Sequence, residues 1–427
     1  MSAEAGEGTK RRAGRAFRAY WALAALVAGL ALGALSGGLS ADVRASVLAI
    51  TGFVGTLWLN ALKMTVIPLV VALLVTGIAK SAEVARAGRI GARSVMWIVA
   101  VCTASAAFGA VMIVLLTGLF PLPRETAERL GAALSGVEQQ ASPPPIGEFL
   151  QGVIPENIFA AASNGDILPL VVFAVLFALA LTRIGAEGRK LVRGLFDAVA
   201  DALLVIIGWV LWLAPIGVFA LAFTVGHAAG GSAFAGFGHY VVIISAIGVL
   251  VTFVGYPIGI LAGKIRPGEF VKCLIPSQAV AISTRSSLAS LPAMLASVRA
   301  MGVRDQVADV ALPICVALFR ATGPAMNTAV AFYVAHWLGY QPTLAQMIAA
   351  TAVGAVMSYA AVSLPGEISF ISSIAPIAMA LGAPIAPLAL LVAVEMVPDI
   401  FRTVGNVTLD VAVTTAVDRS SQSLDDN

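Results

Sequence analysis

Five polar side chains in the last long apolar stretch have the types and spacing to do chemistry together: Asp399, Arg402, Thr403, Asn406 and Asp410. Steps of three, one, three and four residues place them along one face of a helix. A guanidinium forks onto a carboxylate with two parallel hydrogen bonds, so Arg402 suits an anionic group. Ionisable residues inside apolar sequence are expensive to bury and are functional by default. The plainer reading, in which Asp399 and Arg402 merely neutralise each other, leaves Thr403, Asn406 and Asp410 unexplained on the same face.

Two further polar knots interrupt apolar segments. Ser283-Thr284-Arg285-Ser286-Ser287 lies at the centre of 268–298, and Ser363-Leu364-Pro365-Gly366-Glu367 at the centre of 347–382. Backbone N–H groups at such tips and at helix N-termini suit an anion. The remaining reactive residues form no pattern. Cys102, Cys273 and Cys315, like His227, His239 and His336, are scattered. They make no metal-ligand spacing, no disulfide framework and no nucleophile–base pair with Ser286 or Ser287. Neither an enzyme nor a cofactor is expected.

The elements that must hold these residues follow from composition. Of 427 residues, 59% are hydrophobic and 11% charged, less than half the charged share, about 25%, of soluble domains. A chain this apolar could not cover itself with polar surface in water, so it is read as a polytopic all-α membrane protein. A net charge of +3 gives no reason to expect nucleic acid. Spans of about 20 apolar residues are read at 17–36, 46–79, 95–120, 163–182, 196–226, 239–262, 307–335 and 387–413. The first follows a basic start (Lys10, Arg11, Arg12, Arg15, Arg18). It is longer than the apolar core of a cleaved signal and is taken as a span.

Basic residues mark the cytoplasmic loops. They sit at the N-terminus, at Lys80 to Arg93, at Arg183 to Arg193, and at Lys264 and Arg266. The loop 121–156 holds five Glu against two Arg, and 227–238 holds no Lys or Arg. Arg266 precedes the segment 268–298, Lys272 lies near its start, and Arg299 and Arg304 follow it, so a hairpin entering and returning on the cytoplasmic side fits better than a crossing. Residues 347–382 make the matching case from the other face. Paired interrupted segments of this kind point to a transporter's midplane binding site.

The run Asp399 to Asp410 resembles the D-x-x-R-T-x-x-N-V-x-x-D signature of the dicarboxylate/amino acid:cation symporter family, which includes the glutamate transporters. Ser283 to Pro292 resembles its serine-rich hairpin, Leu62 to Leu69 its second span, and Ala214 to Phe219 its fifth. The resemblance implies eight transmembrane helices plus two re-entrant helical hairpins in an inverted-repeat, elevator-type glutamate-transporter fold. It further implies a homotrimer in the cell (inner) membrane, surrounded by lipid, with both termini cytoplasmic. The implied layout has a cytoplasmic start (1–16) and mainly scaffold and trimerisation spans over 17–226, with the third span (95–120) assigned to the moving part. A transport domain over 239–413 and a cytoplasmic tail (414–427) follow.

By the same resemblance Arg402 holds a substrate carboxylate, Asp399 an amino group, and Thr403 a neighbouring contact. Arg285, Ser286 and Ser287, with Thr328, Asn406, Pro365 and Gly366, complete the substrate-binding set. For Arg285 the alternative is a charge snorkelling to cytoplasmic water. Asn406 and Asp410 match a sodium site, making Na+ a candidate coupling ion. One stretch departs from the family, which has N-M-D-G-T in an unwound part of the seventh span. Here Pro324-Ala325-Met326-Asn327-Thr328 stands there. Pro324 and Met326 offer no side-chain oxygen to a hard cation, and Arg320 adds a positive charge nearby. Glu367 and Glu395 are candidate proton carriers instead, because loss of water favours a neutral carboxylic acid. The alternative is that Glu367 faces water and Glu395 pairs with Arg402 or Arg320. The expected activity is symport of L-aspartate or L-glutamate with Na+ or H+. C4-dicarboxylate symport, or an uncoupled, channel-like or purely substrate-binding member, are the alternatives.

Overall fold

The computed structural model describes residues 20–134, 151–360 and 366–422, and no strand occurs among them. In chain order the helices are α1 (Tyr20–Gly38), α2 (Ala41–Arg86), α3 (Arg89–Leu119), α4 (Arg124–Leu134), α5 (Ile158–Asn164) and α6 (Ile167–Leu181). There follow α7 (Ala186–Trp212), α8 (Ala214–Ala229), α9 (Ser232–Pro257), α10 (Pro267–Thr284), α11 (Ser287–Ala300) and α12 (Asp305–Leu318). The last are α13 (Thr322–Trp337), α14 (Leu344–Ala360), α15 (Gly366–Leu381), α16 (Ala386–Leu391) and α17 (Met396–Gln422).

Among the described residues, six stretches are long and apolar enough to cross a membrane: Tyr20–Gly38, Ala41–Arg86, Arg89–Leu119, Ala186–Trp212, Ser232–Ala262 and Asp305–Trp337. Their outward faces carry Met96, Val111, Leu119, Leu191, Leu195, Trp209 and Trp212, all exposed. Apolar surface on that scale is what a lipid environment covers. The protein is a multi-pass membrane protein.

Several boundaries differ from the sequence reading, each for a local reason. The run 196–226 is two helices parted at Leu213. Pro215 brings no N–H to the carbonyl of Leu211, so the helix cannot continue unbroken. The run 163–182 begins with the short α5, which ends at Gly165 in a left-handed conformation (φ +78°) before α6 starts. Residues 307–335 are two helices separated at Phe319–Ala321. The run 387–413 is α16, a turn holding Glu395, and then α17. Residues 414–422, expected in a tail, are the last turns of α17, where Asp418 accepts from Arg304 Nε at 2.8 Å.

The two interrupted segments fold back on themselves. Helices α10 and α11 pack together across a two-residue link, Arg285 and Ser286, with Ser277 and Ser297 hydrogen-bonded at 2.7 Å between the arms. Arg285 takes φ +48°, a left-handed conformation costly for a side chain with a Cβ. Helices α14 and α15 pack in the same manner. Their link, with Pro365, lies outside the described residues.

Packing divides broadly around two helices. One is α2, against α6, α7 and α8. The other is α17, against α3, α9, α10, α11, α12 and α13. From Arg402 to Val417 almost every residue of α17 is buried. That stretch is enclosed by protein, so it can carry Arg402 and Asp410. Close approach is made possible where side chains vanish. A Cβ on Gly109 of α3 would stand 2.2 Å from the carbonyl oxygen of Ala325, and one on Gly405 2.2 Å from Thr322 Cγ2.

Candidate functional site

The first turns of α17, the turn before it and the break between α12 and α13 converge on Arg402. This residue is 8% exposed. One guanidinium nitrogen donates to Asn327 Oδ1 at 2.9 Å, and the other is paired with Glu395. Its Nε–H is buried without a hydrogen-bond partner. Glu395, 4% exposed, also accepts from the Tyr240 hydroxyl of α9 at 2.9 Å. The sequence reading's alternative for Glu395, a pair with Arg402, is therefore the observed contact. A buried pair of this kind is stabilising only when further hydrogen bonds satisfy both ions. Tyr240 supplies one to Glu395 and Asn327 one to Arg402, whose Nε–H is left over.

Beside the pair is a cavity of about 20 Å³, lined by Arg320, Asn327, Ser358, Ser373, Arg402 and Asn406 among others. That is room for about one water. A substrate needs the site to open. Asn327, Tyr240, Ser358 and Ser373 did not stand out in the sequence, because each belongs to a different apolar helix and only the fold brings them together.

The other expected residues fall around this centre. Asp399 is half-buried in the first turn of α17, with no described side chain hydrogen-bonded to its carboxylate. Three arginines, Arg402, Arg285 and Arg320, lie within electrostatic reach of it. The hairpin tip thus approaches α17 through Arg285. Ser286 caps α11, its hydroxyl accepting from the N–H of Ala289 at 3.3 Å, and Ser287 opens that helix. Thr403 is tied to its own helix, donating to the carbonyl of Asp399 at 2.8 Å. Thr328 is fully buried, and its hydroxyl has no partner. Gly366 opens α15, while the side chain of Glu367 lies outside the described residues.

The break between α12 and α13 is fastened to two helices, α3 and α17. Ser105 of α3 donates to the carbonyl of Ala321. Asn406 Oδ1 accepts from the Thr322 N–H at 3.0 Å and its hydroxyl at 2.6 Å. The Thr322 hydroxyl also reaches the carbonyl of Arg402 at 2.7 Å. The break lies at Phe319–Ala321, before the motif at Pro324–Thr328, which is wholly helical. Pro324 is accommodated because the first turn of a helix needs no N–H from it.

This arrangement bears on sodium. Both carboxylate oxygens of Asp410 are buried without a hydrogen-bond partner, as a cation ligand's would be. The rest of the donor set does not follow. Asn406 Oδ1 is spent on Thr322, and Pro324 and Met326 supply no side-chain oxygen. Arg320 puts a positive charge within electrostatic reach of Asp410. Among the described residues no cluster of three or more His, Cys, Asp or Glu could hold a metal ion.

Comparison with known proteins agrees with the motifs. The family model described as the sodium:dicarboxylate symporter family matches residues 19–420. A C4-dicarboxylate transport protein of Deinococcus deserti is 26% identical over 403 residues, covering 93% of this chain and 88% of that protein. Another, from Anaeromyxobacter sp. (strain K), is 28% identical over 398 residues, covering 92% and 88%. A proton/sodium-glutamate symport protein of Geobacillus stearothermophilus is 24% identical over 361 residues, covering 83% and 84%. With all but the ends of the chain matched and the signature residues gathered at one site, the protein belongs to the sodium:dicarboxylate symporter family.

Proposed function

We propose that this protein is a cation-coupled symporter of a small solute with two carboxylates, and that a C4-dicarboxylate is its substrate. The observation that carries the reading is Arg402, a guanidinium held deep in the fold with one N–H unspent, beside a small polar cavity. In this reading one substrate carboxylate takes the place of Glu395 on Arg402. The other meets the α10–α11 tip at Ser286 and Ser287. Thr328, Thr403 and Asn406 enclose the remainder. Three arginines lie within electrostatic reach of Asp399, so a substrate without an amine leaves it with positive charge nearby.

A second reading, an acidic amino acid, is favoured by the absence of any described hydrogen bond to the Asp399 carboxylate. An ammonium group would fit there. The relatives' names include both solute classes.

The coupling cation in this reading is a proton. Glu395 takes a proton from water on the loading side and releases Arg402 to the substrate. When substrate leaves on the other side, Glu395 returns the proton and recovers its pair. Glu367, near the second tip, is the other carboxylate available to this exchange. The helices packed around α17, with the two hairpins, form the moving unit, and those around α2 the scaffold. The working assembly is a homotrimer in the inner membrane with both termini in the cytoplasm.

The test is uptake of labelled succinate and L-aspartate by proteoliposomes holding the full chain, under proton, sodium or no gradient. Concentrative uptake of either solute supports symport. Equilibration alone, under every gradient, refutes it.

A further inference from the structure

The coupling-ion question rests on the symport reading, but one residue of the fold addresses it independently. We infer that Arg320 is a built-in cation, its guanidinium supplying the positive charge that a bound sodium ion would otherwise bring to Asp410, so that this symporter works without sodium.

The argument begins with position. Arg320 is the middle residue of the three-residue break between α12 and α13. A helix break inside a membrane is where backbone carbonyls turn away from their own helix and become available to a cation. Here that place carries a fixed positive side chain. Arg320 lines the same small cavity as Asn406 and Arg402. It lies within electrostatic reach of both Asp399 and Asp410.

Next comes the charge balance. Asp410 is fully buried on a helix surrounded by protein, with no hydrogen bond to either oxygen. A carboxylate in that setting needs a positive charge near it or must give up its own. The named charge acting on it is that of Arg320. Placing Na+ there as well would bring a second cation to a carboxylate that Arg320, shared with Asp399, already reaches. The oxygen inventory gives the same answer. A small hard cation needs about six oxygen ligands. At this site Asn406 Oδ1 is turned to Thr322, and Pro324 and Met326 contribute none. Met326 is fully buried, its thioether beside the position a Cβ on Gly248 would take. The lost oxygens and the gained guanidinium belong together, since a protein that carries its own cation has no use for the ligands.

The experiment compares thermal unfolding of the purified full chain in sodium chloride and in choline chloride at equal ionic strength, for the native protein, Arg320→Gly and Arg320→Gln. A specific cation that binds the folded state alone raises its stability as its concentration rises. The native protein is expected to unfold at the same temperature in both salts. The two variants are expected to lose stability in choline and to regain part of it in sodium. Asp410→Asn added to Arg320→Gln should abolish that response, because the orphaned charge is then gone. A saturable stabilisation of the native protein by sodium overturns the inference. So does a pair of Arg320 variants as indifferent to sodium as the native chain. This readout needs no substrate. Uptake of succinate and L-aspartate by native proteoliposomes in sodium-free medium is measured alongside. Failure of all uptake while the unfolding pattern holds refutes the symport reading and leaves the assignment of Arg320 standing. Uptake that requires sodium refutes the assignment alone.

Discussion

Replacing Glu395 with Gln isolates the competition at the centre of the site. On the proposed reading, a substrate carboxylate must evict Glu395 from Arg402. The pair is buried, at 4% and 8% exposure. Opposite charges about 4 Å apart attract by about 4 kcal/mol at the effective dielectric that suits protein sites. Tyr240 and Asn327 continue to hydrogen-bond whichever partner stays, so most of that attraction is what the substrate has to match. If about 3 kcal/mol of it is removed with the charge, binding should tighten by about 150-fold. The empty variant should also lose about 3–5 kcal/mol of stability, the usual cost of leaving one member of a buried pair alone, and regain it on adding substrate. The sign of the pH effect follows from the same exchange. Substrate binds the form in which Glu395 is protonated, so native affinity falls as pH rises, by up to about tenfold per unit. The groups that set where this happens are Arg402, Asp399 and Tyr240, which act on Glu395 from α17 and α9. Calorimetric titration with succinate and L-aspartate between pH 5.5 and 8, in native and variant protein, measures slope and affinity together. A variant that binds more weakly than the native chain, or that keeps the native pH slope, would show that Glu395 does not compete for Arg402.

Asp399→Asn separates the two substrate classes: succinate uptake should change by less than about threefold, whereas L-aspartate uptake, if it occurs, should drop by about 100-fold with loss of a charged hydrogen bond. Equal losses for both solutes would exclude a seat for an amine at Asp399. Asn327→Leu removes the 2.9 Å acceptor from Arg402 and should cost about 1.5–3 kcal/mol, read as a lower unfolding temperature that added substrate does not restore. Gly109→Ala drives a Cβ against the Ala325 carbonyl and should cost about 1–3 kcal/mol; an unchanged melting temperature would mean that α3 and α13 are not in rigid contact.

Much of this site could be read before the fold was known, because its residues lie on one helix. The recurrence of Asp399, Arg402, Thr403, Asn406 and Asp410 depends only on helical period, and a period survives in sequence. The folded-back segments were legible for a similar reason, since Arg285 to Ser287 and Pro365-Gly366 interrupt apolar runs. What stayed hidden depends on contacts across the chain. Tyr240 is one aromatic residue among many in α9, and its value appears only when its hydroxyl meets Glu395. The break at Phe319–Ala321 contains no glycine or proline, and its sequence sign is Pro324 just beyond, which brings no N–H to the carbonyl of Arg320. It exists because Ser105 and Asn406, 216 and 84 residues from their partners, satisfy the groups it frees. The kink at Leu213 could have been seen, since Pro215 marks it, but a continuous apolar run concealed it.

Those same fastenings have a mechanical consequence. Ser105 ties α3 to the break, and Thr322 ties the break to α17 at two points, with Gly109 and Gly405 leaving no slack between the backbones. A pull on any one of the three helices is transmitted to the others before the hydrogen bonds part. Helix α3, remote in the chain from Arg402 and Asn406, is therefore a strut. In the proposed transport cycle it makes the site move as a unit and keep its shape.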